Sequence, residues 1–452
     1  MRVLALVDGE HYPPVVRSAL ESAPATVVGA ALLGGIEKLT DPTSLPDLGV
    51  PVVTGATPDA ALLEGLARFT PDLVVDLSDQ PVVDARVRMR LAARALAAGV
   101  PYQGADFRFD PPPRPHLAAK PSVSVIGTGK RTGKTAVAAH LARVLRERGT
   151  PPVIVTMGRG GPPEPELIDP DTFDLSPAGL FELARHGRHA ASDHFEDALV
   201  AGVTTVGTRR CGGGLAGAPG DDTFAAGVQV ANRRDEPLLV FEGSGQAIPP
   251  VHADATVCVI PAYAETELVT GYLGAYRLLL ADLVVVTMAE TSLADSGAVA
   301  SLERAVRGLV SGGTNQQLPR FTHAVLRPYP LAPISGRRVF YVTTAPAPAL
   351  GPLVRHLEHE HGGKVVGSSS RLANRPLLAA DLAAAEDADV LVVELKAAAI
   401  DLVAGLALER GMEVVFCDNR VVTVGGDGPF EELATEVTDL AVRRNREQAA
   451  NE

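Results

Sequence analysis

Tryptophan is absent from the 452 residues, cysteine occurs three times, and aromatic residues together make up 4%. So few aromatics argue against the stacking platforms on which single-stranded nucleic-acid binders lay their bases. The three cysteines, Cys211, Cys258 and Cys417, are scattered and show no CxxC spacing. Neither a zinc site nor a disulfide framework is indicated, and a reducing cytoplasmic setting is expected. A basic surplus is also missing: 41 Lys and Arg stand against 54 Asp and Glu, for a net charge of −13. That is the wrong sign for binding a nucleic-acid backbone. Apolar runs are short or interrupted, as Asp282 interrupts Leu278 to Val286, so no membrane-spanning segment is expected. The chain opens directly on a short apolar strand, Val3 to Val7, without the basic and apolar regions of a signal peptide.

What the sequence does contain is a long alternation of apolar strand-like runs with amphipathic segments, the pattern of parallel α/β sheets. The runs include Val27–Leu33, Leu73–Leu77, Val123–Ile126, Val153–Thr156, Leu238–Phe241, Thr256–Ile260, Leu283–Thr287, Val339–Val342, Val390–Val393 and Val414–Phe416. Proline-rich breaks at Asp110 to His116 and at Arg327 to Pro333 cannot continue a helix or a central strand. They divide the chain into an N-terminal Rossmann-like α/β domain (1–115), a central P-loop domain with a parallel sheet (116–330) and a smaller C-terminal α/β domain with a terminal helix (331–452).

One segment dominates the functional reading. The strand Ser122 to Ile126 runs into Gly127-Thr128-Gly129-Lys130-Arg131-Thr132-Gly133-Lys134-Thr135-Ala136, a glycine-rich turn that opens a helix. Backbone N–H groups of such a turn wrap a triphosphate, Lys134 faces the β/γ oxygens, and the Thr135 hydroxyl suits Mg²⁺. ATP with Mg²⁺ is therefore the expected nucleotide pair. Five residues rather than four separate Gly127 from Gly133, a spacing that resembles the dethiobiotin synthetase and cobyrinic acid synthase branch of P-loop proteins.

Four further stretches carry candidate chemistry. Phe241-Glu242-Gly243-Ser244-Gly245 ends a buried strand on a carboxylate, making Glu242 a metal candidate. The loop Met157 to Pro170 offers Arg159 to a phosphate, and Glu164, Glu166 or Asp169 to Mg²⁺ or substrate. A second glycine-rich loop, Gly207 to Asp222, carries Arg209 and Arg210, whose guanidinium groups suit bidentate phosphate contacts. Asp8, Glu10 and His11 follow the first strand, at the sheet edge where such folds bind ligands.

Three motifs together, Val-Asp-Gly-Glu-His-Tyr-Pro-Pro at the start, the Gly127 to Thr135 loop, and Met-Gly-Arg-Gly-Gly-Pro-Pro-Glu-Pro-Glu after it, resemble the cyclic 2,3-diphosphoglycerate synthetase family. The resemblance implies a homodimeric enzyme that uses ATP and Mg²⁺ to close 2,3-diphosphoglycerate to a cyclic pyrophosphate, releasing ADP and phosphate. On it, Lys134, Lys130, Arg159 and Glu242 are the expected catalytic groups. Asp8, Glu10, His11, Arg159, Arg209 and Arg210 are the expected substrate contacts, and Thr135, Glu242 and Asp169 the metal contacts. Three other readings stay open at this point. Another ATP-dependent ligase shares the loop, and a nucleotide sensor predicts binding without turnover. A GTPase needs a guanine-reading Asn-Lys-x-Asp, where this chain has Thr287-Met-Ala-Glu290.

Overall fold

A computed structural model describes residues 1–35, 45–311, 318–383, 385–397 and 399–451. It separates into two compact units that cut across the linear order. Residues Ala264–Ala281 and Ser301–Pro319, which lie inside the central stretch of the sequence, pack with Met1–Pro113, and the remainder forms the second unit.

The first unit is built on a six-stranded sheet of β1 (Arg2–Val7), β2 (Thr26–Leu32), β3 (Val52–Thr54), β4 (Leu73–Asp76), β5 (Tyr102–Gln103) and β6 (Arg108–Phe109). Their spatial order is β3-β2-β1-β4-β5-β6, parallel except for β6 against β5. This is the Rossmann-like arrangement, with the order reversing between β1 and β4. The short strands β3, β5 and β6 carry too few apolar residues to stand out in the sequence.

The second unit contains β7 (Ser122–Gly127), β8 (Pro152–Gly158), β9 (Glu166–Ile168), β10 (Thr205–Cys211), β11 (Asp221–Asp222), β12 (Leu238–Glu242), β13 (Ala255–Pro261), β14 (Leu283–Thr287), β15 (Arg320–Pro330), β16 (Arg338–Val342), β17 (Lys364–Ser369), β18 (Val390–Val393) and β19 (Glu413–Gly426). They form one sheet in the order β11-β10-β8-β12-β7-β13-β14-β15-β19-β18-β16-β17, with β9 against β10. On the nucleotide side β10 through β15 run parallel. The polarity then reverses, because Cys417–Gly426 of β19 pairs antiparallel with β15 while Glu413–Phe416 pairs parallel with β18. The C-terminal strands thus run opposite to the nucleotide-side strands. The carboxyl ends of β16 and β18 consequently point back at the carboxyl ends of β7 and β12.

Two segments expected as loops contain strands. Gly207 to Cys211 is the second half of β10, and the hairpin returns at Asp221–Asp222. Glu166–Ile168, within the glycine- and proline-rich stretch after β8, pairs antiparallel with Thr205–Gly207. Backbone pairing, which needs no particular side chain, overrides the loop-like composition in both.

The charged closing helix, Phe430–Asn451, returns to the nucleotide side, where Phe430, Leu433, Ala434, Val437 and Ala441 join the core formed with β7, β13 and the helix Lys134–Glu147. That last helix is tied to β19 by an Arg143–Asp418 ion pair at 2.6 Å, buried on both sides. His140 Nδ1 also accepts the Val421 N–H at 3.0 Å. Burial, then Arg143 and Arg420, push His140 down to about 3. Its unfolded value is near 6.5, so the unfolded chain binds the proton first. Stability present above pH 6.5 is lost as pH falls toward 3, by a few kcal/mol at most. Denaturant unfolding at pH 7 and pH 5 should show this loss. His140→Asn, which keeps an acceptor for Val421, should flatten the difference; an unchanged pH response would remove His140 as the cause.

Candidate nucleotide and phosphate site

β7 is buried along its whole length between β12 and β13 and delivers the loop to the sheet's carboxyl edge. The turn closes tightly. A side chain at Gly127 would meet Thr132 Oγ1 and Val259 O at 2.9 Å, while Gly133 adopts φ +87 just before the helix. Glycine answers both demands. No side chain caps the helix, so its first N–H groups are left for an anion. Lys134 arcs back over the loop and donates to Gly129 O at 2.6 Å and to Thr132 Oγ1 at 3.4 Å. Burial lowers it to about 8, against the pull of Glu242.

A single cleft is lined by Lys130 to Thr135, Arg159, Asp193, Glu242 to Gly245, and Lys396. Glu242 is 2% exposed and accepts from the Thr156 hydroxyl at 2.9 Å. Burial and then Asp193 push its carboxyl up, against hydrogen bonds from Thr135, Asp197 and Thr156. Asp197 is fully buried, and neither of its oxygens meets a donor. Burial, followed by Glu242, holds Asp197 well above the usual range. A proton on Asp197 directed at Glu242 lets the two carboxyls lie side by side without a buried like-charge pair.

The residues fit Mg²⁺: the carboxyl groups of the buried Glu242 and of Asp193 line the same cleft as the Thr135 hydroxyl. Among the described residues no three His, Cys, Asp or Glu side chains converge as a complete metal cage. Mg²⁺ needs none, since it keeps several waters and takes one or two protein carboxylates beside a phosphate.

Of the expected cations, Lys130, Arg131 and Lys134 line the cleft with Arg159. Arg159 has no hydrogen-bond or ion-pair partner among the described residues. Its guanidinium meets that of Arg210 at Gly245, where a side chain would lie 2.6 Å from Arg159 Nη2 and 3.2 Å from Arg210 Nη2. Arg210 is held there by donation to Ser244 O at 2.7 Å and Gly212 O at 2.5 Å. Arg209 is exposed. Successive residues of a strand face opposite ways, so the expected Arg209–Arg210 pair is replaced by Arg159–Arg210.

Asp169 does not join Thr135 and Glu242. It accepts its own loop's Asp171 N–H at 3.0 Å, and Asp193 lines the cleft instead. Glu166 is committed to His194, whose Nε2 lies 3.4 Å from Oε2, and to Arg188; these two neighbours, His194 first, lower it to about 2. Glu164 is exposed.

In the first unit, Asp8 Oδ1 accepts from the N–H groups of Glu10 and His11, at 2.9 and 3.2 Å, and pairs with His11 Nδ1 at 2.9 Å. Its Oδ2 accepts the Asp79 N–H at 2.6 Å, joining the ends of β1 and β4. Asp8 therefore acts as a staple with both oxygens occupied. Sequence reading missed Asp193, Asp197 and Lys396. An acidic residue at a helix start is common enough to carry no signal of its own.

Fold and site define a P-loop nucleotide-binding α/β enzyme. Residues 2–110, 122–315 and 330–420 match the family models of the N-terminal, P-loop and C-terminal domains of cyclic 2,3-diphosphoglycerate synthetase. The chain belongs to that family. It is 47% identical over 438 residues to the cyclic 2,3-diphosphoglycerate synthetase of Rubrobacter xylanophilus, spanning 96% of this chain and 97% of the relative. The Methanothermus fervidus synthetase is 40% identical over 98% of this chain and 97% of its own length. Among solved structures, LpxK from Aquifex aeolicus in complex with ATP aligns at a TM-score of 0.40 and 13% identity, covering 73% of this chain and 90% of that one. At that distance it carries no functional information. Among the described residues no helix is long and apolar enough to cross a membrane.

Proposed function

We propose that the protein uses ATP and Mg²⁺ to cyclise 2,3-diphosphoglycerate through an intramolecular pyrophosphate bond, releasing ADP and phosphate, and that it works as a cytoplasmic homodimer. The observation that carries the reading is the convergence of the Lys134–Thr135 loop, Glu242 and the unpartnered Arg159 on one cleft. The names of full-length relatives support the substrate.

A phosphate dianion needs no general base at neutral pH. The work of the protein is therefore to hold two polyanions together and to stabilise the charge that moves between them. One substrate phosphate attacks the γ-phosphorus and gives a mixed anhydride; the other phosphate then displaces inorganic phosphate and closes the ring. Lys134 and the loop N–H groups hold the ATP phosphates, and Arg159, which stands beside Arg210, orients the acceptor. Thr135, Glu242 and Asp193 would hold Mg²⁺, which neutralises phosphate charge when bound. Phosphorus NMR of a reaction with ATP, Mg²⁺ and 2,3-diphosphoglycerate tests the reading. A cyclic pyrophosphate signal supports it, and ADP formation without that signal sinks it.

Glu242→Gln keeps the shape and removes the charge facing the metal. It should shift the activity-versus-Mg²⁺ curve to higher concentration by about tenfold or more, the scale of losing one carboxylate at a metal or its shell. A curve that overlays the parent's would exclude Glu242 as a ligand.

A further inference from the structure

The C-terminal half of the sheet contributes a cation that sequence reading did not find. Lys396 follows β18 on a tight turn, with its N–H on Glu394 O at 2.8 Å and Ala397 at φ +47. The turn is fixed from the neighbouring strand: Glu394 accepts from the hydroxyls of Thr343 and Thr344 and from the Thr344 N–H. The polarity reversal at the β15–β19 seam aims this turn at the P-loop. Lys396 accordingly lines the nucleotide cleft and also the adjoining hollow bounded by Arg131, Gly133 and Glu394.

Its Nζ lies 3.0 Å from Glu196 Oε1, on the helix Asp193–Ala201, and the side chain keeps 26% of its surface open. An ammonium has three donors, and Glu196 engages one side of it. Lys134 lines the same cleft. Two lysines lining one cleft make a place suited to a polyanion between them.

We propose that Lys396 is a catalytic residue that contacts the phosphoryl group in transit between ATP and the acceptor phosphate, with Glu196 positioning it. This rests on the cyclisation reading above. In the first step an oxygen of one substrate phosphate bonds to the γ-phosphorus as the bond from that phosphorus to the β-bridging oxygen breaks, and ADP leaves with the electron pair. In the second, an oxygen of the other substrate phosphate bonds to the activated substrate phosphorus, and inorganic phosphate leaves with the bridging oxygen. Both steps shift negative charge across the gap between Lys134 and Lys396, where a second fixed cation acts on the transition state.

The test compares full-length parent, Lys396→Met, Glu196→Gln and the double variant, measuring kcat and KM for 2,3-diphosphoglycerate and Mg·ADP affinity by calorimetry. Lys396→Met should lower kcat by about 10²-fold or more and leave Mg·ADP affinity within about threefold, since the P-loop holds the nucleotide. Glu196→Gln, which keeps the cation, should lose less than about tenfold. The double variant leaves no buried charge unpaired and should match Lys396→Met, covering the case in which that variant folds poorly. Turnover by Lys396→Met near the parent's overturns the inference while leaving the cyclisation reading intact. Equal losses in Glu196→Gln and Lys396→Met overturn it in favour of a structural ion pair. A parent that makes no cyclic product removes the cyclisation reading, and this inference with it.

Discussion

Lys134→Ala is expected to lower kcat by about 10²-fold or more at saturating ATP, because it deletes the charge facing the oxygens where negative charge moves during transfer. The geometry sharpens the expectation. The ammonium is already buried and poised over the loop by Gly129 O and Thr132 Oγ1, so nucleotide phosphates replace these contacts without a large reorganisation. The chain should still fold, since a buried lysine held partly by a carbonyl contributes little apolar packing. Circular dichroism checks the fold, and steady-state turnover checks the effect. Near-normal turnover would take the loop out of catalysis.

Arg159→Ala is expected to cut kcat/KM for 2,3-diphosphoglycerate by about 10–100-fold, with nucleotide affinity changing much less. Arg159→Lys should recover only part of the loss, because an ammonium keeps charge but not the planar fork. The contrast between neighbours motivates this. Arg210 is spent on Ser244 O and Gly212 O, whereas Arg159 reaches the same spot with no partner among the described residues. Separate titrations of the two ligands decide it. Equal weakening of both, or of nucleotide alone, would place Arg159 at the ATP phosphates.

Much of this architecture is legible in the residues. Strands buried on both faces, such as Val123–Ile126 and Leu283–Thr287, announce themselves as apolar runs, and the Gly127 to Thr135 spacing marks its own turn. β10 is hidden because its second half reads Gly-Thr-Arg-Arg-Cys, and the glycines after it suggest a loop. Once it is known as a strand, the separation of Arg209 from Arg210 follows from parity alone. Asp193, Asp197 and Lys396 are a different case. Asp193 and Asp197 come from a helix and Lys396 from a turn about two hundred residues further on, and the reversed polarity at the β15–β19 seam brings Lys396 to the cleft that Asp193 lines. Glu242 could be singled out because it ends an apolar strand, whereas Asp197 lies inside an amphipathic helix whose pattern gives no reason to bury a carboxyl.

The position of the last helix also sets when the protein can become itself during synthesis. Phe430, Leu433 and Val437 cover β7 and β13, strands made about 300 and about 170 residues earlier. The nucleotide-side core is therefore completed only once the 22-residue helix Phe430–Asn451 has been made. Such far-separated contacts make folding late and slow. A chain stopped before Phe430 would hold every loop residue needed to grip a nucleotide, yet its strands would lie bare on the face that this helix shields.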